Sequence, residues 1–197
     1  MSNDATGTLK VVARKKSTLN RILKILQYKD KEYCPYRLKD CELNGDDYKD
    51  GKLYVRDFYI DSAWSIDPLF TYGDRPDIHL KEYAKDKNGN MIQIKDDKGN
   101  FKGYKEIDLP PHFTDLCHLA KVLDFGCECF ITEPGMMFEQ HFSCNHKGEL
   151  VYNETGHYEE KFHYKKNGDI DDSVEPEEEH GLEDFMEFAF ASEIYGD

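Results

Sequence analysis

Apolar residues recur along this chain at two spacings, and each spacing marks a different kind of element. "TLKVVA" (8–13) is rich in β-branched residues, is bounded by Gly7, and predicts a first strand. Directly after it, Leu19, Ile22, Leu23 and Leu26 fall at i, i+3, i+4 and i+7, the stripe of an amphipathic helix, with Ser17 placed to cap its start. Residues 28–52 are polar and carry turn signals at Asn44-Gly45 and Asp50-Gly51, so a loop with at most a short strand is expected. "KLYVRDFYIDSAWS" (52–65) predicts the second long strand. Leu53 and Val55 alternate in one phase and Phe58 and Ile60 in the other, a one-residue shift that predicts a bulge near Asp57.

Residues 85–105 place "DKNGN" and "DKGN" around "MIQI" and "FKGY", which predicts hairpin turns between short, half-exposed strands. Pro110-Pro111 closes that excursion. Leu116, Leu119, Ala120 and Leu123 form a second helical stripe over about 114–124, with Thr114 as its cap and Gly126 at the left-handed position beyond its end. "CECFIT" (127–132) and "MMFEQHFSCN" (136–145) read as a strand pair joined at Glu133-Pro134-Gly135. Pro followed by Gly suits a type II turn, because Gly takes positive φ at little steric cost, so these three residues are assigned a structural role. Lys147-Gly148, Thr155-Gly156 and Asn167-Gly168 separate further strands at 149–153 and 157–165. Leu182, Phe185, Met186 and Ala189 return to helical spacing and predict a short C-terminal helix docking by one face. The order βα, β, excursion, αββ fits an α+β fold with a ferredoxin-like split-βαβ core, an antiparallel sheet with two helices on one face. An inserted β-hairpin excursion at about 66–109 and an acidic C-terminal helix decorate it. The expected organisation is one domain over 1–166, followed by an acidic extension over 167–197.

Composition supports folding: 39% hydrophobic and 13% aromatic residues in a 197-residue chain suffice for one core. No run approaches the roughly 18 apolar residues of a membrane helix, and "MSNDATGTLK" lacks the regions of a signal peptide. A cytoplasmic protein with its six cysteines reduced is therefore expected.

Charge changes the picture further. The net charge is −14, yet residues 1–166 hold 28 acids against 26 bases. The last thirty-one residues contain twelve acids and no Lys or Arg. Such a surface repels nucleic acid, so direct DNA or RNA binding is disfavoured. Asp169, Asp171, Asp172, Glu175, Glu177, Glu178, Glu179, Glu183 and Asp184 instead form a block suited to a basic protein partner. Phe185, Phe188, Phe190 and the single tryptophan, Trp64, are candidate apolar anchors for that partner. Trp64 also reads as a core lid, and the acids as a solubilising segment.

Cysteine and histidine spacing invites a metal or a catalytic reading, at Cys127-x-Cys129, His141-x-x-Cys144 and Cys144-x-His146. Alternation along a strand sets Met136, Phe138, Gln140, Phe142 and Cys144 on one face and His141 on the other, which disfavours a metal site. Cys117 and His118 are helical neighbours roughly 100° apart, so they do not face each other. No catalytic residue, metal or cofactor is assigned.

Three pieces together resemble a known family. "TLKVVA" leading into a helix, "FYIDSAWS" (58–65) and "FGCECFITEPGMMFEQHF" followed by "KGELV" look like the phage- and plasmid-borne accessory family of the YubB type. The motifs are Ala63-Trp64-Ser65 and Glu133-Pro134-Gly135-Met136 followed by Phe138, and the likeness covers about half the chain. It implies a ferredoxin-like fold and a mobile-element protein in a bacterial cytoplasm. The function expected first is a small binding protein that inhibits a basic, nucleic-acid-handling defence enzyme of its host. A cryptic enzyme around Cys117, His118 or His141, and a plain structural or regulatory module, are the alternatives.

Overall fold

The computed structural model describes residues 4–27, 30, 32–78, 81–108 and 112–196; Pro110-Pro111 lies outside them. Strand β1 (Asp4–Ala13) leads into helix α1 (Lys16–Leu26). The polar stretch that follows holds β2 (Cys34–Pro35), β3 (Leu38–Leu43) and β4 (Tyr48–Asp50), more strand than expected. Next come β5 (Leu53–Ala63) and the short helix α2 (Asp67–Thr71). The excursion contains β6 (Lys81–Tyr83), β7 (Gln93–Lys95), β8 (Phe101–Tyr104) and β9 (Glu106–Asp108). After β10 (Phe113–Thr114) come α3 (Leu116–Leu123), β11 (Phe125–Glu133), β12 (Phe138–Cys144) and β13 (Leu150–Lys161). The chain ends with β14 (Glu177–His180) and α4 (Ala191–Tyr195).

The ferredoxin-like expectation is overturned. The protein is 45% strand and 16% helix, built around a large antiparallel sheet that curls into a half-barrel. Its strand order is β14-β13-β12-β11-β1-β5-β3, with β4 pairing β5 as well. In a split-βαβ core the two strands joined through a helix run parallel and are separated by an antiparallel strand inserted between them. Here β1 and β5, the long strands before and after α1, are instead direct antiparallel neighbours, from Asp4↔Ala63 to Ala13↔Tyr54. Strand β11 pairs antiparallel with both β1 and β12.

Both faces of the sheet are covered, and this explains the phase change in β5. Its register against β1 runs unbroken, so the bulge expected at Asp57 is absent. Phe58 and Ile60 join the main core, under Leu19, Ile22, Ile25 and Leu26 of α1, Leu69 and Phe70 of α2, and Leu116, Leu119 and Ala120 of α3. Leu53 and Val55 point to the opposite face and pack with Val12 against Ala191, Ile194 and Tyr195 of α4. One regular strand thus feeds two cores. A register shift lies instead on the neighbouring β3, between Leu38 and Asp40.

Local expectations are corrected at several ends. Helix α1 starts after Lys15, not at a Ser17 cap. Asp115, not Thr114, caps α3 by accepting the His118 N–H at 2.7 Å. The left-handed residue beyond α3 is Asp124 (φ 61°), two residues before Gly126. Gly126 instead lies within β11, where a Cβ would collide with the Ile194 carbonyl of α4. The turn after Glu133 spans four residues, its left-handed member is Met137 (φ 58°), and the Glu133 carboxylate accepts the Met136 N–H. Thr155-Gly156 is no turn: β13 runs straight through it.

The expected helix over Leu182–Ala189 is also absent. That segment crosses the sheet without helical structure, turning at left-handed Asp184 and Met186, and the helix forms later as α4. Among the described residues no helix is long and apolar enough to cross a membrane.

Candidate functional site

Register fixes what the sheet displays beneath the C-terminal segment. On that face one row across the strands reads Asp40, Asp61, Thr6, Thr132, Glu139, and the next reads Glu42, Tyr59, Thr8, Phe130, His141. A third row holds Asp57, Lys10, Glu128 and Ser143. Polar side chains therefore occupy a surface that the C-terminal segment partly roofs. Burying carboxylates there requires donors, because an unpaired buried charge is strongly unfavourable.

The backbone donors come from the C-terminal segment. Glu139, fully buried, accepts the Leu182 N–H and lies 2.6 Å from His180 Nδ1. Glu128, 1% exposed, accepts the Ala189 N–H at 2.9 Å and lies 2.8 Å from His141 Nε2. At the far end the Tyr195 hydroxyl donates to Asp124 at 2.5 Å, with His146 Nδ1 3.2 Å from the same carboxylate oxygen. Tyr195 and His146 together hold the Asp124 carboxyl below its ordinary range. Phe185 and Phe188 both meet the Phe130 ring edge-on, at 5.4 and 5.1 Å, and Lys10 Nζ lies 4.6 Å from the Phe188 ring. The segment is thus a strap, clamped by carboxylates and stacked aromatics.

What the strap leaves uncovered is a groove of about 580 Å³, within the size range of ligand sites. Its floor is Thr6, Thr8, Tyr59, Asp61 and Thr132; Asp40 and Glu42 of β3 form one wall, and Glu178, His180, Phe185 and Met186 the other. Both edges of the sheet line one trough, as curling into a half-barrel dictates. Among the described residues no lysine or arginine lines it. Asp40 and Asp61 are direct cross-strand partners, and like charges so placed repel. Burial pushes the Asp61 carboxyl up, Lys39 opposes this and Asp40 adds to it. Asp61 Oδ1 has no hydrogen-bond partner among the described residues.

The residues singled out from the sequence separate into distinct places. Glu178 and Phe185 line the groove, whereas Glu177 and Glu179 sit on β14 opposite Lys161 and Glu159. Asp169, Asp171, Asp172 and Glu175 lie in the loop before β14, where Asp171 accepts from Ser173. Glu183 and Asp184 are exposed on the strap, and Phe188 is taken up by Phe130 and Lys10. Trp64 is no core lid: it is 51% exposed and left-handed (φ 72°) at the junction of β5 and α2. That conformation is unfavourable for a bulky residue.

Cysteine and histidine candidates also part company. The Cys117 thiol bonds toward Cys144 within the core, while His118 faces Asp74 at 3.6 Å. His141 lies on the opposite face, stacked between Phe130 and Tyr152. Asp40, Glu42, Tyr59 and Asp61 were missed, although their two-residue spacing within "LKDCEL" and "FYIDSA" places each pair on one strand face. Comparison with protein-family models, curated proteins and solved structures gives no significant match.

Proposed function

We propose that this chain is a binding protein that engages a basic, nucleic-acid-handling protein through acidic surface on its β14 side, and so blocks that partner. The observation that carries this reading is the placement of the acids. Glu177, Glu178 and Glu179 are held on an edge strand beside Glu159 and Glu160, with Lys161 the one lysine or arginine in that pairing. An ordered edge presents charge at fixed spacing, which steers an oppositely charged surface better than a loose tail does. Charge also protects an edge strand from pairing with other chains, and the two roles are compatible. The expected setting, a mobile-element protein acting against a host defence enzyme, rests on the family resemblance alone.

The test is association kinetics with a partner recovered from host lysate and identified by mass spectrometry. Association should slow at least severalfold between 50 and 300 mM salt, roughly the range over which screening tightens. Replacing Glu177 and Glu179 by Gln should slow it further with little change in dissociation. A partner whose affinity ignores both salt and the substitutions refutes the reading.

A further inference from the structure

We infer that the groove between β3 and the strap is a receptor for an arginine side chain, presented by the basic partner proposed above. This deepens that reading and rests on it. Four carboxylates, Asp40, Glu42, Asp61 and Glu178, reach the groove from three separate strands. No lysine or arginine among the described lining residues neutralises them; His180 Nε2 lies 3.4 Å from Glu178, and Lys39 nearby is paired with Asp4. The cross-strand pair Asp40–Asp61 is unfavourable as it stands, and a cation between the two strands converts that repulsion into attraction.

The lining also says which cation fits. Tyr59 is 54% exposed on the floor, with the Phe185 and Phe130 rings on the strap side. A planar guanidinium stacks on aromatic faces while its five N–H donors seek acceptors in the ring plane. Acceptors are at hand: Asp61 Oδ1 lacks a partner among the described residues, Thr6 stands beside it on the neighbouring strand, and Thr132 follows one strand further. An ammonium offers three donors and no plane to stack, so lysine is the weaker ligand. The volume exceeds one side chain and leaves room for the residues on either side of the arginine.

The probes are acetyl-arginine amide, acetyl-lysine amide and the neutral isostere acetyl-citrulline amide, titrated into isotope-labelled full-length protein and followed by amide shifts. Saturable shifts at Thr6, Thr8, Tyr59 and Asp61 are expected with arginine, weaker ones with lysine and none with citrulline. Asp40→Asn with Asp61→Asn should weaken arginine binding at least tenfold without lowering the melting temperature, since it removes a repulsion. Equal response to citrulline, or an unchanged affinity in the double variant, overturns the inference. With an arginine-rich peptide as probe, the two readings separate. Loss of binding on Glu177→Gln/Glu179→Gln but not on Asp40→Asn/Asp61→Asn overturns the groove and keeps the acidic edge. The converse keeps the groove and overturns the edge.

Discussion

Removing the Tyr195 side chain should destabilise the whole sheet, although the residue stands near the end of the chain. Tyr195 is fully buried, its ring stacked on His146 at 4.5 Å and covered by the Arg14 guanidinium at 4.9 Å. It closes the second core with Val12, Leu53, Val55 and Ile194. Truncating a buried aromatic to alanine costs about 3–5 kcal/mol, a large part of a total of roughly 5–15 kcal/mol. Tyr195→Ala should therefore lower the melting temperature by on the order of 10 °C, at about 2–4 °C per kcal/mol for a chain of this size. Tyr195→Phe keeps the ring and removes the hydroxyl bond to Asp124, for a loss of about 1 kcal/mol. The pH dependence separates the two parts. The folded Asp124 carboxyl is depressed, chiefly by the Tyr195 hydroxyl, so its contribution is present above the unfolded carboxylate pKa of about 3.9 and is lost as pH falls through the folded value. The gap between wild type and Tyr195→Phe should narrow in that acid range, while the Tyr195→Ala deficit persists. Urea unfolding followed by far-ultraviolet circular dichroism at pH 7 and pH 3 measures both. A Tyr195→Ala loss below about 1 kcal/mol at pH 7, outside the range for buried aromatics, would mean that α4 is not part of the cooperative fold.

Truncation after Gly168 removes β14, the strap and α4, and should give an aggregating protein, because Phe130, Val12 and Val55 lose their cover; a soluble, monomeric product in gel filtration contradicts this. Asp47→Asn should cost about 3 kcal/mol, since Arg56 is 5% exposed and bonds Asp47 through two nitrogens. Asp47 is held low chiefly by Arg56, so its contribution is also lost as pH falls through the depressed value, and denaturant melts at pH 7 and pH 3 should show the deficit shrinking. Gly156→Val should detach the strap locally, because a Cβ there meets Leu182 and the Glu139 carboxylate; amide exchange should accelerate at 180–182 and stay slow at 126–131. Burial pushes the Cys34 and Cys41 thiols up to about 12, so a thiol reagent at pH 8 should label them only on unfolding, and rapid labelling of either in native protein refutes the placement.

The elements most legible in the sequence were those whose signal is local. The stripes at Leu19–Leu26 and Leu116–Leu123 became α1 and α3, because an apolar face at helical spacing packs on a sheet regardless of how the sheet is wired. Wiring was not legible. Strand order depends on contacts between distant segments, such as Thr8 with Tyr59 and Phe130, that no local pattern records. The phase change at Leu53–Ile60 was visible but ambiguous, since a bulge and burial on both faces write the same pattern. Spacing in the strap was ambiguous too: Phe185 and Phe188 sit three apart on a helix, and equally on a kinked crossing that sets both against Phe130. The groove draws on β1, β3, β5, β11 and the strap, so its members stood far apart in the sequence with only their alternation to mark them.

The acidic end of the chain is therefore two things at once, and the sheet's own buried acids explain why. Glu128 and Glu139 are buried in the floor under the strap, and each takes one backbone N–H and one imidazole. A basic segment could have supplied these donors as charges, but a strap that donates through its backbone and one imidazole needs no lysine or arginine for the purpose. Glu178 can then face the groove while Phe185 and Phe188 turn inward onto Phe130. The carboxylates that fix the strap and those that line the groove are consequently different residues with different tasks. Positioning by Glu139 sets His180 and Phe185 as the groove wall, with the imidazole stacked 4.4 Å from the phenyl ring. The groove has its shape because the strap is clamped, and its charge because β3, β5 and β14 each contribute acids that the clamp does not use.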